Sequence, residues 1–113
     1  MNDRVAKLLR DALEHGEKAQ RYVADYTFAQ YMSHDLLRSG VERELSIVGE
    51  ALQQMRRLDV ELADSVPEIA EVIGLRNRLV HGYQQTDDRV VYDTMRDPLA
   101  DLLVALRVLL EGR

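Results

Sequence analysis

Apolar residues recur at three- and four-residue intervals along most of the chain, and no run alternates as a half-buried strand would. The first such stretch runs from about Asn2 to Tyr26. It carries Val5, Leu8, Leu9, Ala12 and Leu13, then Ala19, Tyr22, Val23 and Tyr26. "HGEK" softens it, because Gly16 costs about 1 kcal/mol in a helix interior. "YTFAQYMSHD" is a break, with Thr27 and Ser33 as candidate caps. A second stretch, from about Ser33 to Leu58, has the stripe Leu37, Val41, Leu45, Val48, Ala51, Leu52 and Met55. Its other faces carry Glu42, Arg43, Glu44 and Glu50. "DVELADSVPE" reads as a connection with room for one helical turn, and Pro67 sits near the next helix start.

The third stretch runs from about Glu68 to His81, with Gly82 placed as a left-handed C-terminal cap. "QQTDD" is a polar loop with a cap at Thr86 or Asp87. The fourth stretch runs from Asp88 to about Glu111. Asp97 followed by Pro98 is a helix-start signal inside it, which predicts a kink or short break. Four long helices with short links predict an all-α, up-and-down four-helix bundle whose fourth helix is kinked or broken near Pro98.

Composition narrows this picture. At 113 residues, the chain is read as one helical domain spanning 1–113. Aromatics make up only 5% and Trp is absent, so the expected core is Leu, Val, Ile, Ala and Met. The absence of Cys removes disulfides and thiolate metal sites and suits a reducing, cytoplasmic setting. Charges run through "MNDRVAKLLRDALEHGEK", which is unlike a signal peptide, and no stretch approaches the roughly 18 apolar residues that span a membrane. A net charge of −5 argues against a broad basic face that coats nucleic acid, while leaving room for a basic pocket. His15 and His34 fall on polar faces and are expected in solvent. With scattered His and no Cys, no metal site and no cofactor are expected.

Candidate chemistry gathers on the third helix. On a helical wheel, Ile69, Val72, Ile73, Val80 and Tyr83 share a broad stripe, and Arg76 falls in its middle. A guanidinium there needs a carboxylate partner, or else the stripe is not fully buried. Asn77 and His81 are four apart and neighbours. Arg76 and His81 are five apart, roughly 140° round the helix, so they meet only if the helix loosens near Gly82 or a second chain supplies one of them. Arg grips phosphate with parallel hydrogen bonds, and His moves a proton near neutral pH. Together they suit metal-free RNA cleavage by an attacking 2′-OH, with Arg76 stabilising the phosphorane. On the residues alone, structural roles stay open: Arg76 bridging to Glu50 or Glu71, His81 against the helix dipole, and Tyr83 as packing.

"RNRLVHGY", Arg76 to Tyr83, resembles the Arg-x4-His-x-Tyr signature of HepT-like toxins, a branch of the HEPN superfamily. "VERELSIVGEAL", Val41 to Leu52, is similar to the second-helix pattern of that family, and the resemblance covers nearly the whole chain. It implies a HEPN-like homodimer and a metal-independent endoribonuclease acting on RNA, either tRNA or mRNA. Arg76 and His81 match the catalytic pair, and Asn77 matches the polar residue after the arginine. Tyr83 matches the tyrosine that an MntA-like nucleotidyltransferase antitoxin AMPylates in type VII toxin–antitoxin systems. Glu50 and Arg43, on the second helix, are candidates to support the site, although ordinary solvated side chains fit them equally. Arg56 and Arg57 could touch an RNA backbone or form a solvated helix end. The rival reading is a non-catalytic helical partner of a nucleotidyltransferase.

Overall fold

The computed structural model describes residues 1–81 and 87–112. These residues form α1 (Asp3–Val23), α2 (Phe28–Met32), α3 (Asp35–Leu58), α4 (Val60–Asp64), α5 (Pro67–His81), α6 (Asp88–Arg96) and α7 (Pro98–Glu111), with no strand among them. α1 packs along α3, α3 along α5, and α7 closes the ring against both α5 and α1. This is the expected four-helix bundle, with α2 and α4 as single turns in two of its links.

Local signals set most boundaries. The Asn2 side chain accepts from the Val5 amide and starts α1. Thr27 and Gln30 form a reciprocal capping box that starts α2. Ser33 closes α2, and His34 rather than Ser33 caps α3, its Nδ1 accepting from the Leu37 amide at 3.1 Å. Asp59 caps the short α4, and Asp87 is the cap of α6, accepting from the Arg89 amide. The break near Pro98 is present, and Pro98 is the first residue of α7. Asp97, however, makes no side-chain cap hydrogen bond; its amide instead closes α6 on the Asp93 carbonyl. The readings of Gly82 as a cap and of Thr86 as an alternative cap lie outside the described residues.

The α3 stripe is buried in full, from Leu37 to Met55. Gly16 does not interrupt α1. It is buried, and a Cβ there would lie 2.6 Å from Leu103 Cδ2, so the glycine lets α7 come close. The core is less purely aliphatic than expected. Tyr31 and Tyr92 are buried, and Phe28 packs edge-on against Tyr92 where α2 meets α6. The Tyr92 hydroxyl donates to the Tyr26 carbonyl at 2.8 Å, tying the end of α1 to α6. The Tyr31 hydroxyl is buried with no partner among the described residues, and burial pushes its pKa up.

Three polar residues depart from the expected solvated faces. Glu44 is buried, and His15 is half-buried, its Nδ1 3.0 Å from Glu44 Oε2. α1 and α3 pack closely enough to cover Glu44, and a buried carboxylate needs such a partner. His34 is also half-buried, edge-on to the Tyr26 ring.

Candidate active site

α5 buries Ile69, Val72, Ile73 and Leu75. One turn later its inward stripe opens: Val80 is exposed, contrary to its expected place in the buried stripe. Arg76 sits at this transition, with its side chain 17% exposed. Both conditions set by the wheel therefore hold, since the arginine has a carboxylate partner and its stripe is only partly covered.

The partner is Glu50 of α3, whose Oε2 lies 2.8 Å from Arg76 Nη2. Glu50 Oε1 in turn accepts from Gln54 Nε2 at 3.1 Å, one helical turn along. Arg76 Nη1 donates to Asn77 Oδ1 at 3.1 Å and to Gln53 Oε1 at 3.4 Å. A pair as open as this adds little stability. Its consequence is geometric, because three acceptors from two helices fix the plane of the guanidinium.

The aliphatic stem of Arg76 lies directly on Gly49 of α3. A Cβ on Gly49 would sit 2.6 Å from Arg76 Cγ and closer still to Arg76 Cβ. Gly49 is helical, and no described residue has a positive φ, so the glycine supplies space rather than an unusual backbone. The α3–α5 contact at this level is therefore made of backbone against side-chain stem.

Arg76, Asn77 and His81 line one open cleft of about 680 Å³ with Gln53, Arg57, Arg78 and Glu50. α5 is helical through His81, so both members of the Arg-x4-His pair face one opening from a single chain, with no loosening up to His81. Three arginines face one carboxylate there, which makes the cleft locally basic on an acidic chain. Glu50 lines the cleft and pairs with Arg76. Arg43 does not line this cleft; it is exposed and belongs to a neighbouring groove between α1 and α3. Of the two arginines at the end of α3, Arg57 lines the cleft and Arg56 does not. Tyr83 lies outside the described residues, two positions beyond His81. Gln53 and Gly49 escaped the sequence reading. Gln53 is one turn beyond Glu50 on α3, which could have pointed to it, whereas nothing in the sequence marks Gly49 as the residue opposite Arg76.

A fixed guanidinium, a nearby amide side chain and an exposed imidazole on a basic cleft are suited to gripping a phosphodiester and moving a proton beside it. The comparisons with known proteins agree in class. "Putative RNase MJ1380" of Methanocaldococcus jannaschii is 26% identical over 95 residues, covering 82% of this chain and 84% of its own length. "Putative RNase TTE0752" of Caldanaerobacter subterraneus subsp. tengcongensis is 24% identical over 103 residues, covering 91% of each chain. No solved structure matches with comparable significance. The family model described as Ribonuclease HepT-like matches residues 12–109, and the chain belongs to this HepT-like ribonuclease family.

Proposed function

We propose that the protein is an endoribonuclease that cleaves RNA at the Arg76 cleft and needs no metal, acting as the toxin of a type VII toxin–antitoxin pair. Arg76 grips the scissile phosphate and stabilises the charge that builds on its oxygens. His81 takes the 2′-OH proton. The 2′-oxygen bonds to phosphorus, and the P–O5′ bond breaks. A second proton carrier, acting as the general acid, protonates the departing 5′-oxygen, and a 2′,3′-cyclic phosphate remains. Asn77 holds Arg76 through the 3.1 Å hydrogen bond. The observation that carries this reading is the shared cleft: Arg76, Asn77 and His81 face one basic opening. Arg76→Ala and His81→Ala should each abolish cleavage of a labelled single-stranded RNA while circular dichroism and melting stay near parental. A variant that folds and cuts at the parental rate removes that residue from the mechanism. A folded parent that cuts no RNA supports the helical-partner reading instead.

Control belongs at the end of the motif. An MntA-like nucleotidyltransferase would add AMP to the Tyr83 hydroxyl, two residues beyond His81. The added phosphate brings negative charge two residues along the chain from His81, whose cleft must accept an RNA phosphate, and an arginine such as Arg76 is suited to hold it. Coexpression with such an enzyme should add whole AMP units to the intact mass, mapped to Tyr83 by peptide mass spectrometry. An unmodified Tyr83 in a silenced complex would argue for inhibition by binding alone.

A further inference from the structure

A second opening, of about 660 Å³, lies between α1 and α3. Helix periodicity explains its walls. Arg4, Lys7, Leu8 and Asp11 fall on one outer strip of α1, and Arg43, Ile47, Glu50, Ala51 and Gln54 fall on one outer strip of α3. The floor is apolar, made by Leu8, Ile47 and Ala51. The rims are basic. Lys7 is paired with Asp11 at 3.0 Å, but Arg4 and Arg43 make no ion pair among the described residues. Two unpaired arginines thus flank an apolar floor on a chain of net charge −5.

The groove adjoins the Arg76 cleft, and Glu50 stands in the wall of both. One of its oxygens faces Gln54 in the groove and the other holds Arg76 in the cleft. Its side chain is 42% exposed at this shared wall.

We infer that this groove takes the RNA strand where it continues beyond the scissile phosphate, an inference that rests on the ribonuclease reading. Arg4 and Arg43 hold flanking phosphates, and Leu8, Ile47 and Ala51 receive the face of a base. Cationic rims above an apolar floor match single-stranded nucleic acid, whose phosphates and unstacked bases are both presented. A duplex keeps its base faces covered and would leave the floor unused. A second copy of the chain would have to bury both arginines, and the groove's own carboxylates, Asp11 and Glu50, are already engaged by Lys7 and Arg76.

The test uses a fluorescent 2′-O-methyl dodecamer, which lacks the attacking hydroxyl and therefore reports binding alone. Affinity is measured by anisotropy across a salt series for the parent, for Arg4→Ala/Arg43→Ala, and for Arg10→Ala/Arg21→Ala. The last variant removes the same charge from α1 residues outside the groove. Two lost phosphate contacts should make the slope of log K against log salt shallower by about 1.4 in the groove variant, and the control should match the parent. A groove variant with the parental slope, or a control with the same loss, would overturn the inference. So would a groove variant whose sedimentation coefficient departs from the parent's, since the groove would then be a seam between chains. Failure of the parent to cut unmodified RNA strikes the ribonuclease reading itself, and the binding data remain separate from it.

Discussion

Arg76 is positioned by what is missing opposite it. A larger residue at 49 would collide with the Cβ and Cγ of the arginine, the two atoms least able to move away. Gly49→Ala must therefore push α5 off α3 or swing the guanidinium out of the grasp of Glu50, Gln53 and Asn77. Overpacking of this kind costs about 1–3 kcal/mol, which urea unfolding would register. If Arg76 grips the phosphate as proposed, cleavage should still fall by at least an order of magnitude under conditions where the variant is fully folded, because a displacement of about 1 Å at such a group loses about a hundredfold. A folded Gly49→Ala with parental cleavage would mean that this contact does not set the position of Arg76. The residues of the site were unequally legible. Arg76, Asn77 and His81 announce themselves by charge in an apolar pattern and by their spacing on one helix. Glu50 follows once α3 is placed beside α5. Gly49 does not follow, because the residue opposite Arg76 depends on the rotation and crossing of two helices, and a glycine carries no periodic signal of its own.

At the level of elements, the long helices were legible and their polar contacts were not. A stripe such as Leu37 to Met55 is a one-dimensional pattern, and the whole of it is buried as expected. Glu44 and His15 are polar residues that pattern alone assigns to solvent, yet α1 covers them. The short α2 brings a further case. It docks Tyr31 against α3 and α6, near Glu42 of α3 and Asp88 of α6. Burial raises the pKa of Glu42, the nearby Asp88 raises it further, and Arg38 partly offsets both. The folded state thus holds the Glu42 proton more tightly than the unfolded chain does. That contribution is fully present below the ordinary glutamate range, about 4.3, and is lost as pH rises through the higher folded value. Glu42→Gln imitates the protonated side chain. It should melt above the parent at neutral pH, with the gap closing as pH falls towards 4. A gap that stays constant across that range would show that Glu42 carries no such strain.

For the whole molecule, the unresolved demand is a second proton carrier. Transfer from a 2′-OH and to a 5′-oxygen needs a base and an acid at opposite sides of the phosphorus. Among the described residues, the cleft of one chain offers one imidazole, His81, while its carboxylate, Glu50, is occupied by Arg76 and Gln54. His81 and Val80 are both exposed at the open end of α5, where a symmetric partner could bring its own His81 across the axis. On the proposed reading, an acidic chain that holds a polyanion also gains from this arrangement, since two basic clefts would merge while the negative surfaces stay outside. If both imidazoles serve one reaction, a dimer with one His81→Ala chain is inactive. After subunit exchange between parent and His81→Ala, activity should then scale with the square of the parental fraction, so that an equal mixture retains about a quarter of the parental rate. Activity that falls in simple proportion, to about one half in the equal mixture, would place base and acid within a single chain. The second proton would then have to come from another group of the same cleft.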